Sequence, residues 1–148
     1  MTNESNVQLH FASSEADRQA AFDVRMAVFV EEQTVPPEEE ADDQDDIAIH
    51  LLAEADGSVV ATSRLVVLEN GLGLIGRVAV LPDWRRMGIA DQMLDTLESK
   101  AREIGLLALE LHAQTYVQDL YEKHGFRVTS SEPYTEAGLE HVTMAKTL

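Results

Sequence analysis

A mixed α/β fold, with a central and mostly antiparallel sheet flanked by helices, is what this chain predicts. Three observations carry that reading. Short apolar strand-like segments outnumber helical ones. Asp-Gly and Asn-Gly turn signals separate the strands of the first half. One long amphipathic helix follows the most apolar strand, as a crossover between neighbouring strands requires. The 148 residues suit one domain, spanning 1–148, with one core.

The first strand is expected over Val7 to Phe11. Ser13 and Ser14 offer helix caps, with Asp17 three residues after Ser14 in the manner of a capping box. Phe22, Met26, Phe29 and Val30 recur at helical spacing, so a helix runs to about Val30. Pro36-Pro37 stops any helix, and Glu38 to Asp46 reads as solvated loop. Ile47 to Ala55 is a strand, Asp56-Gly57 its turn, and Val59 to Leu68 the returning strand. Asn70-Gly71 marks the next turn. Leu74 to Leu81 is nearly all apolar apart from Arg77, which places it centrally in the sheet.

Gly88 to about Ile104 is the strongest helix. Ile89, Met93, Leu97 and Ala101 form its apolar stripe, and Gly105 caps it. Leu106 to His112 is another strand. Val117, Leu120, Tyr121 and His124 share one face of a short helix ending at Gly125. Phe126 to Ser130 and His141 to Lys146 complete the strands.

Charge narrows the partners. The net charge is −16, from 27 acidic and 11 basic residues. That balance argues against nucleic acid as a partner, because phosphates need Lys and Arg opposite them. Anionic membrane surfaces are disfavoured for the same reason. The chain has no Cys, so disulfides and zinc–thiolate sites are excluded. The polar stretch Met1 to His10 has no apolar signal region, and no segment approaches the roughly 20 apolar residues of a membrane span. A cytoplasmic protein is expected. Nine acidic residues and no Lys or Arg fall between Glu31 and Asp46, whereas Arg85-Arg86 is the one adjacent basic pair. An anionic ligand is therefore drawn to one place and a cationic ligand to another.

The basic place has the local form of a phosphate site. A central strand ends at Leu81-Pro82, a short loop follows, and a helix opens near Gly88. The N–H groups and dipole at that helix start suit a pyrophosphate. Gly88 and the small Ala90 admit phosphate oxygens close to the backbone, and Arg85 and Arg86 add charge-assisted donors. An ordinary helix start with two surface arginines fits the same residues.

Here the chain resembles the GNAT (Gcn5-related) N-acetyltransferase family. Arg85-x-x-Gly88-x-Ala90 resembles the family's Gln/Arg-x-x-Gly-x-Gly/Ala motif. Gly76 to Val80 looks like the strand that precedes it. Leu120-Tyr121-Glu122-Lys123-His124-Gly125-Phe126 is similar to a recurrent segment near the family's C-terminus. A narrower resemblance, to the ElaA-like branch, runs over most of the chain. It includes Arg25-x-x-Val28-Phe29-Val30-x-Glu32-Gln33-x-Val35-Pro36, His50 to Ala53, Leu111 to Gln114, and Glu136 to Met144. Arg86 and Ala90 depart mildly from that branch, which often has Gly at both places.

The resemblance implies a GNAT fold and acetyl-CoA as acetyl donor. It implies that Val78, Ala79 and Val80 lie along the pantetheine arm, and that residues Arg85, Arg86, Met87, Gly88, Ile89 and Ala90 hold the diphosphate. Gln114 stands where many relatives bind the cofactor arm. A backbone N–H near Val80 would stabilise the acetyl oxygen, and Tyr121 would protonate the departing sulfur. No covalent nucleophile is implied, because the reaction runs in a ternary complex.

The base is open between two residues. Glu110 and His112 point to one face of their strand by period-two alternation, and an imidazole accepts a proton near neutral pH. The bland reading is a polar pair satisfied by Arg77 or by a neighbouring strand. His50, His112 and His141 would form an acceptor pocket if all three converged, and no close His spacing marks a metal site. Glu32, Gln33 and Arg77 are further candidates for the acceptor wall, with Glu32 facing a cationic amine. Three readings remain: a small-molecule N-acetyltransferase, a protein Lys or N-terminal acetyltransferase, and a non-catalytic acetyl-CoA-binding module. The family also includes many homodimers, though no segment here marks an interface.

Overall fold

The computed structural model describes residues 7–35, 42–130 and 132–148. Pro36-Pro37 and the first half of the expected acidic loop, residues 38–41, lie outside the described residues. Among these residues eight strands form one sheet: β1 (Gln8–Phe11), β2 (Ile49–Ala55), β3 (Ser58–Val67), β4 (Leu72–Val80), β5 (Ala108–Gln114), β6 (Arg127–Val128), β7 (Tyr134–Glu136) and β8 (Leu139–Thr147). The order across it is β1-β2-β3-β4-β5-β8-β6, with β7 paired to β8. Among the described residues only β4 and β5 run parallel. The helices are α1 (Glu15–Arg25), α2 (Ile89–Glu103) and α3 (Gln118–Lys123). The expected α/β class holds, and β4 is central as its apolar run requires. Among the described residues no helix is long and apolar enough to cross a membrane.

Local chemistry sets most boundaries. The Ser14 hydroxyl accepts from the Asp17 N–H at 3.1 Å. The Asp17 carboxylate reaches back to the Ser13 N–H at 2.9 Å, one residue earlier than in a standard capping box. Asp56-Gly57 has φ of 52° and 79°, the paired left-handed values of a tight hairpin turn. A third such turn, Ala137-Gly138 with φ of 51° and 80°, joins β7 to β8. Nothing in an Ala-Gly pair announces it, and β7 is absent from the sequence reading for that reason.

The helix expected to reach Val30 does so in two parts. After α1 the chain widens into a π-helical stretch, Met26–Glu32. Such widened turns occur often at functional sites, since one extra residue per turn turns side chains toward a new face.

α2 buries the stripe expected of it: Ile89, Met93, Leu94, Leu97 and Ala101 are at most 3% exposed. At about 1.5–3 kcal/mol for each large apolar side chain removed from water, this face fastens the crossover to the sheet.

β4 decides the shape of the site. It pairs with β3 to its end, Val80 opposite Ala61. Opposite the single residue Ser63 it carries two, Arg77 and Val78, a β-bulge with Arg77 at φ 52°. A bulge bends its strand, and pairing between β4 and β5 ends before it, at Ile75 opposite Leu111. Beyond that point β5 continues to Gln114 with β8 alone. The sheet therefore splits between β4 and β5.

Candidate active site

The split opens into a cavity of about 640 Å³. One wall is Gly76 to Val80 of β4, and the other includes Leu111, His112 and Gln114 of β5. Val28 and Phe29 from the π-helical stretch and Gln33, the residue after it, close one side, and Tyr121 from α3 closes another.

The unpaired edge of β4 supplies backbone groups. The Leu81 N–H donates to the Val60 carbonyl on the β3 side. Alternation along an extended chain then turns the Val80 N–H and C=O toward the split. The Val80 carbonyl accepts from Arg85 Nε at 2.8 Å.

At the head of the split α2 begins. Gly88 precedes it at φ 79° with nothing within 4 Å of the place a Cβ would take. The first helical N–H to bond inside the helix is that of Gln92, to the Gly88 carbonyl. The earlier N–H groups of the first turn have no partner within the helix. Ala90 lines the cavity. Ile89 differs from its expected role, since its side chain is 2% exposed and belongs to the core. Only its backbone is placed to meet a ligand. Arg86, at φ 63°, and Met87 are not among the cavity-lining residues.

Arg85 does line the cavity, but already engaged. Its two terminal nitrogens donate to both oxygens of Glu32 at 2.7 Å. The Arg85 hydrogen bonds hold the Glu32 carboxyl below its ordinary range and raise Arg85 in turn. Glu32, expected to meet a cationic amine, is thus taken up by an arginine and does not line the cavity. Its neighbour Gln33 does. Gln33 accepts from Gln114 Nε2 at 2.9 Å and donates to the Tyr116 hydroxyl at 3.2 Å. Residues 32 and 33 therefore bridge the α2 loop and the end of β5. The other amide atom of Gln114, Oε1, is buried without a partner among the described residues. A buried acceptor left unpaired costs free energy unless a ligand donates to it.

Tyr121 is buried against Phe126, with ring centres 6.2 Å apart. Burial pushes its hydroxyl up to about 12.

The expected acceptor groups divide. His112 and His141 both line the cavity, together with Glu136. His112 Nδ1 lies 3.1 Å from Glu136 Oε1. His141 Nδ1 donates to the Leu139 carbonyl at 2.8 Å. His50 is elsewhere: it is buried in β2 with Nε2 3.0 Å from the Asp45 carbonyl, and it does not line this cavity. The three histidines do not converge. Glu110, two residues before His112 on the same strand face, also lies outside the lining.

Arg77 lines the cavity from the bulge, 3.2 Å from Asp42. Asp42 and Asp45 show what the acidic run does. Asp45 binds Arg25 at 2.7 Å and 3.1 Å, and Arg64 at 2.7 Å. Asp42 takes Arg64 through both oxygens at 2.7 Å and 2.8 Å. Burial alone would raise Asp45, but hydrogen bonds from Arg25 and Arg64 overturn it and hold the carboxyl at about 2. These two acids are structural partners of buried arginines, not the solvated loop expected. Sequence reasoning missed Arg25 and Arg64 in this role. Their one signal was an arginine inside an otherwise apolar helix face or strand.

Residues 11–148 match the family model described as an acetyltransferase (GNAT) domain. The chain is 35% identical over 135 residues to the uncharacterized N-acetyltransferase YjcF of Bacillus subtilis, covering 91% of this chain and 96% of that protein. Its fold is similar to that of an acyl-CoA N-acyltransferase from Pseudomonas aeruginosa, with TM-score 0.85, 28% identity, and 95% and 99% of the two chains covered. It is likewise similar to Escherichia coli ElaA, with TM-score 0.83, 28% identity, and 95% and 99% coverage.

Proposed function

Because the chain belongs to the GNAT acetyltransferase family, we propose that it transfers acetyl from acetyl-CoA to a primary amine of a small molecule, by direct attack in a ternary complex. One observation carries the reading: a split between β4 and β5 that exposes the β4 backbone edge and leads straight to the N-terminus of α2. An extended amide-bearing arm ending in a diphosphate has the chemistry to fill both parts. The likeness to a solved acyl-CoA N-acyltransferase supports the same donor class.

The residues present fit such a donor. Val78 to Val80 offer strand-like hydrogen bonds to the arm, and the unpaired Gln114 Oε1 offers an acceptor for one of its N–H groups. The first turn of α2 behind Gly88 would hold the diphosphate, with Arg85 exchanging Glu32 for a phosphate oxygen. When bound, acetyl-CoA supplies an acetyl thioester whose carbon takes the amine's electron pair while the C–S bond breaks and sulfur leaves with its electrons.

The chain's own groups do the rest. The Val80 N–H, turned into the split, donates to the carbonyl oxygen where charge develops. His112 accepts the amine proton. Tyr121 serves the leaving sulfur as a hydrogen-bond donor more than as a full acid. Its hydroxyl stands at about 12, whereas a thiol titrates at about 8.5. Complete proton transfer to the thiolate would therefore run uphill. The hydrogen bond alone stabilises the thiolate without that cost.

A small acceptor is supported by the clasp across the cavity: Gln33 is bonded both to Gln114 and to Tyr116. That bridge narrows the cavity on one side, which suits a metabolite better than a peptide.

Calorimetric titration with acetyl-CoA, followed by a screen of primary amines for free-thiol release, tests the proposal. Saturable binding and amine-dependent thiol release are expected. Binding with no turnover on any amine favours a non-catalytic module, and absence of binding overturns the reading. Tyr121→Phe should lower kcat by about a hundredfold, the scale of losing one preorganised donor, while acetyl-CoA affinity stays unchanged. Equal kcat would reduce Tyr121 to packing.

A further inference from the structure

We propose that Glu136 is a positioning residue for His112, fixing the imidazole in the tautomer whose Nε2 is left to take the amine proton. The inference rests on the acetyl-transfer reading and adds to it a residue from the β7–β8 hairpin.

The geometry is specific about the proton. His112 Nδ1 lies 3.1 Å from Glu136 Oε1. A carboxylate offers only acceptors, so the ring must carry its hydrogen on Nδ1. The lone pair of the neutral ring then sits on Nε2. When Nε2 takes a proton the ring becomes cationic, and the adjoining carboxylate stabilises that charge. The same logic orients histidines in metal sites and in acyl-transfer triads.

The ring is also held sideways. Tyr134 meets His112 edge-on, with centres 6.0 Å apart at 85°. The Tyr134 hydroxyl is tied to Thr143 Oγ1 at 2.8 Å. Thr143 is in turn the β8 residue directly opposite His112. Both anchors therefore come from one hairpin. Its turn places Ala137, the residue after Glu136, at φ 51°. A non-glycine residue there is strained by about 1–2 kcal/mol. Strain of this kind persists where the surrounding structure holds a conformation in place, often beside a reacting site.

His141 provides an internal control. It also lines the cavity and stacks on Tyr134, and its Nε2 is 3.8 Å from Glu136 Oε2, beyond hydrogen-bond length. Its Nδ1 hydrogen is fixed by a backbone carbonyl, that of Leu139. Removing the Glu136 charge thus frees the tautomer of His112 and leaves that of His141 in place.

The test uses the full chain with Glu136→Gln and Glu136→Asp. In ¹⁵N spectra of histidine-labelled protein, assigned with His112→Asn, the neutral His112 ring should carry its hydrogen on Nδ1. Glu136→Gln should shift that population toward Nε2–H, because an amide can donate as well as accept. The His141 signals should not move, and Glu136→Asp should retain the wild-type His112 pattern. With any primary amine that supports thiol release, Glu136→Gln should lower kcat about 10- to 100-fold, with KM for acetyl-CoA unchanged. An unaltered His112 tautomer, or an unaltered kcat, overturns the proposal. Wild-type protein that releases no thiol with any amine overturns the acetyl-transfer reading instead, and the tautomer spectra still decide whether Glu136 positions His112.

Discussion

Arg25 and Arg64 are 2% and 4% exposed and face Asp45 and Asp42. Arg85 faces Glu32, with both side chains more than a third exposed. The three carboxylates come from one acidic run, and each pairs with its arginine at about 2.7 Å. Contact distance does not distinguish the two groups; burial does. In the interior the two guanidinium groups have lost their water and depend on their carboxylates, which keep 23% and 33% of their own side-chain surface exposed, so the pairs lock the segment to α1 and β3. At the rim of the cavity water can replace either partner, so the Arg85–Glu32 pair is exchangeable. A rigid clamp beneath the site and a replaceable latch at its edge are thus built from the same chemistry.

The largest expected effect breaks the clamp. Asp45→Asn removes a charge facing Arg25 and, among the described residues, one of the two facing Arg64. Urea denaturation should show a loss of about 3 kcal/mol or more. A loss below about 1 kcal/mol would erase the distinction between the two groups.

Acid makes the same point on the wild-type chain. The folded Asp45 titrates at about 2, below its unfolded value of about 3.9. A lowered folded value adds stability at every pH above the unfolded value and loses it as pH falls. The contribution of Asp45 should therefore be level above pH of about 4 and decline from there toward about 2, read as the difference between wild-type and Asp45→Asn urea midpoints across that range.

The smallest effect sharpens the contrast at the latch. Glu32→Gln should change stability by at most about 1 kcal/mol, as for other exposed pairs. Releasing Arg85 should tighten acetyl-CoA binding by up to about fivefold, the equivalent of that energy. Weaker binding would mean that Glu32 holds Arg85 in its binding position instead of competing for it.

The fold was legible where local rules act. Asp56-Gly57 and Asn70-Gly71 gave their hairpins, Ser14 its cap, and the Ile89 to Ala101 stripe its helix, because each depends on a few adjacent residues. β7 was not legible, since Ala137 at φ 51° is held there by the hairpin against its own preference. The candidate site was partly legible. Val78 to Val80, Arg85, Ala90, Gln114, Tyr121, His112 and His141 gather round one cavity. Ile89, His50 and Glu110 do not present side chains to it, because facing direction depends on which neighbours a strand or helix acquires.

By itself the sequence determined the class of fold, the crossover and the glycine turn that opens α2, since periodicity, turn residues and glycine act within a few positions of themselves. The tertiary structure alone decided that β4 parts from β5 at a bulge. It alone decided that Asp42 and Asp45 face inward to buried arginines, and that Glu136 meets His112 across 24 residues of chain. Each of those depends on contacts between segments far apart in sequence, and their strength comes from burial that no single segment possesses.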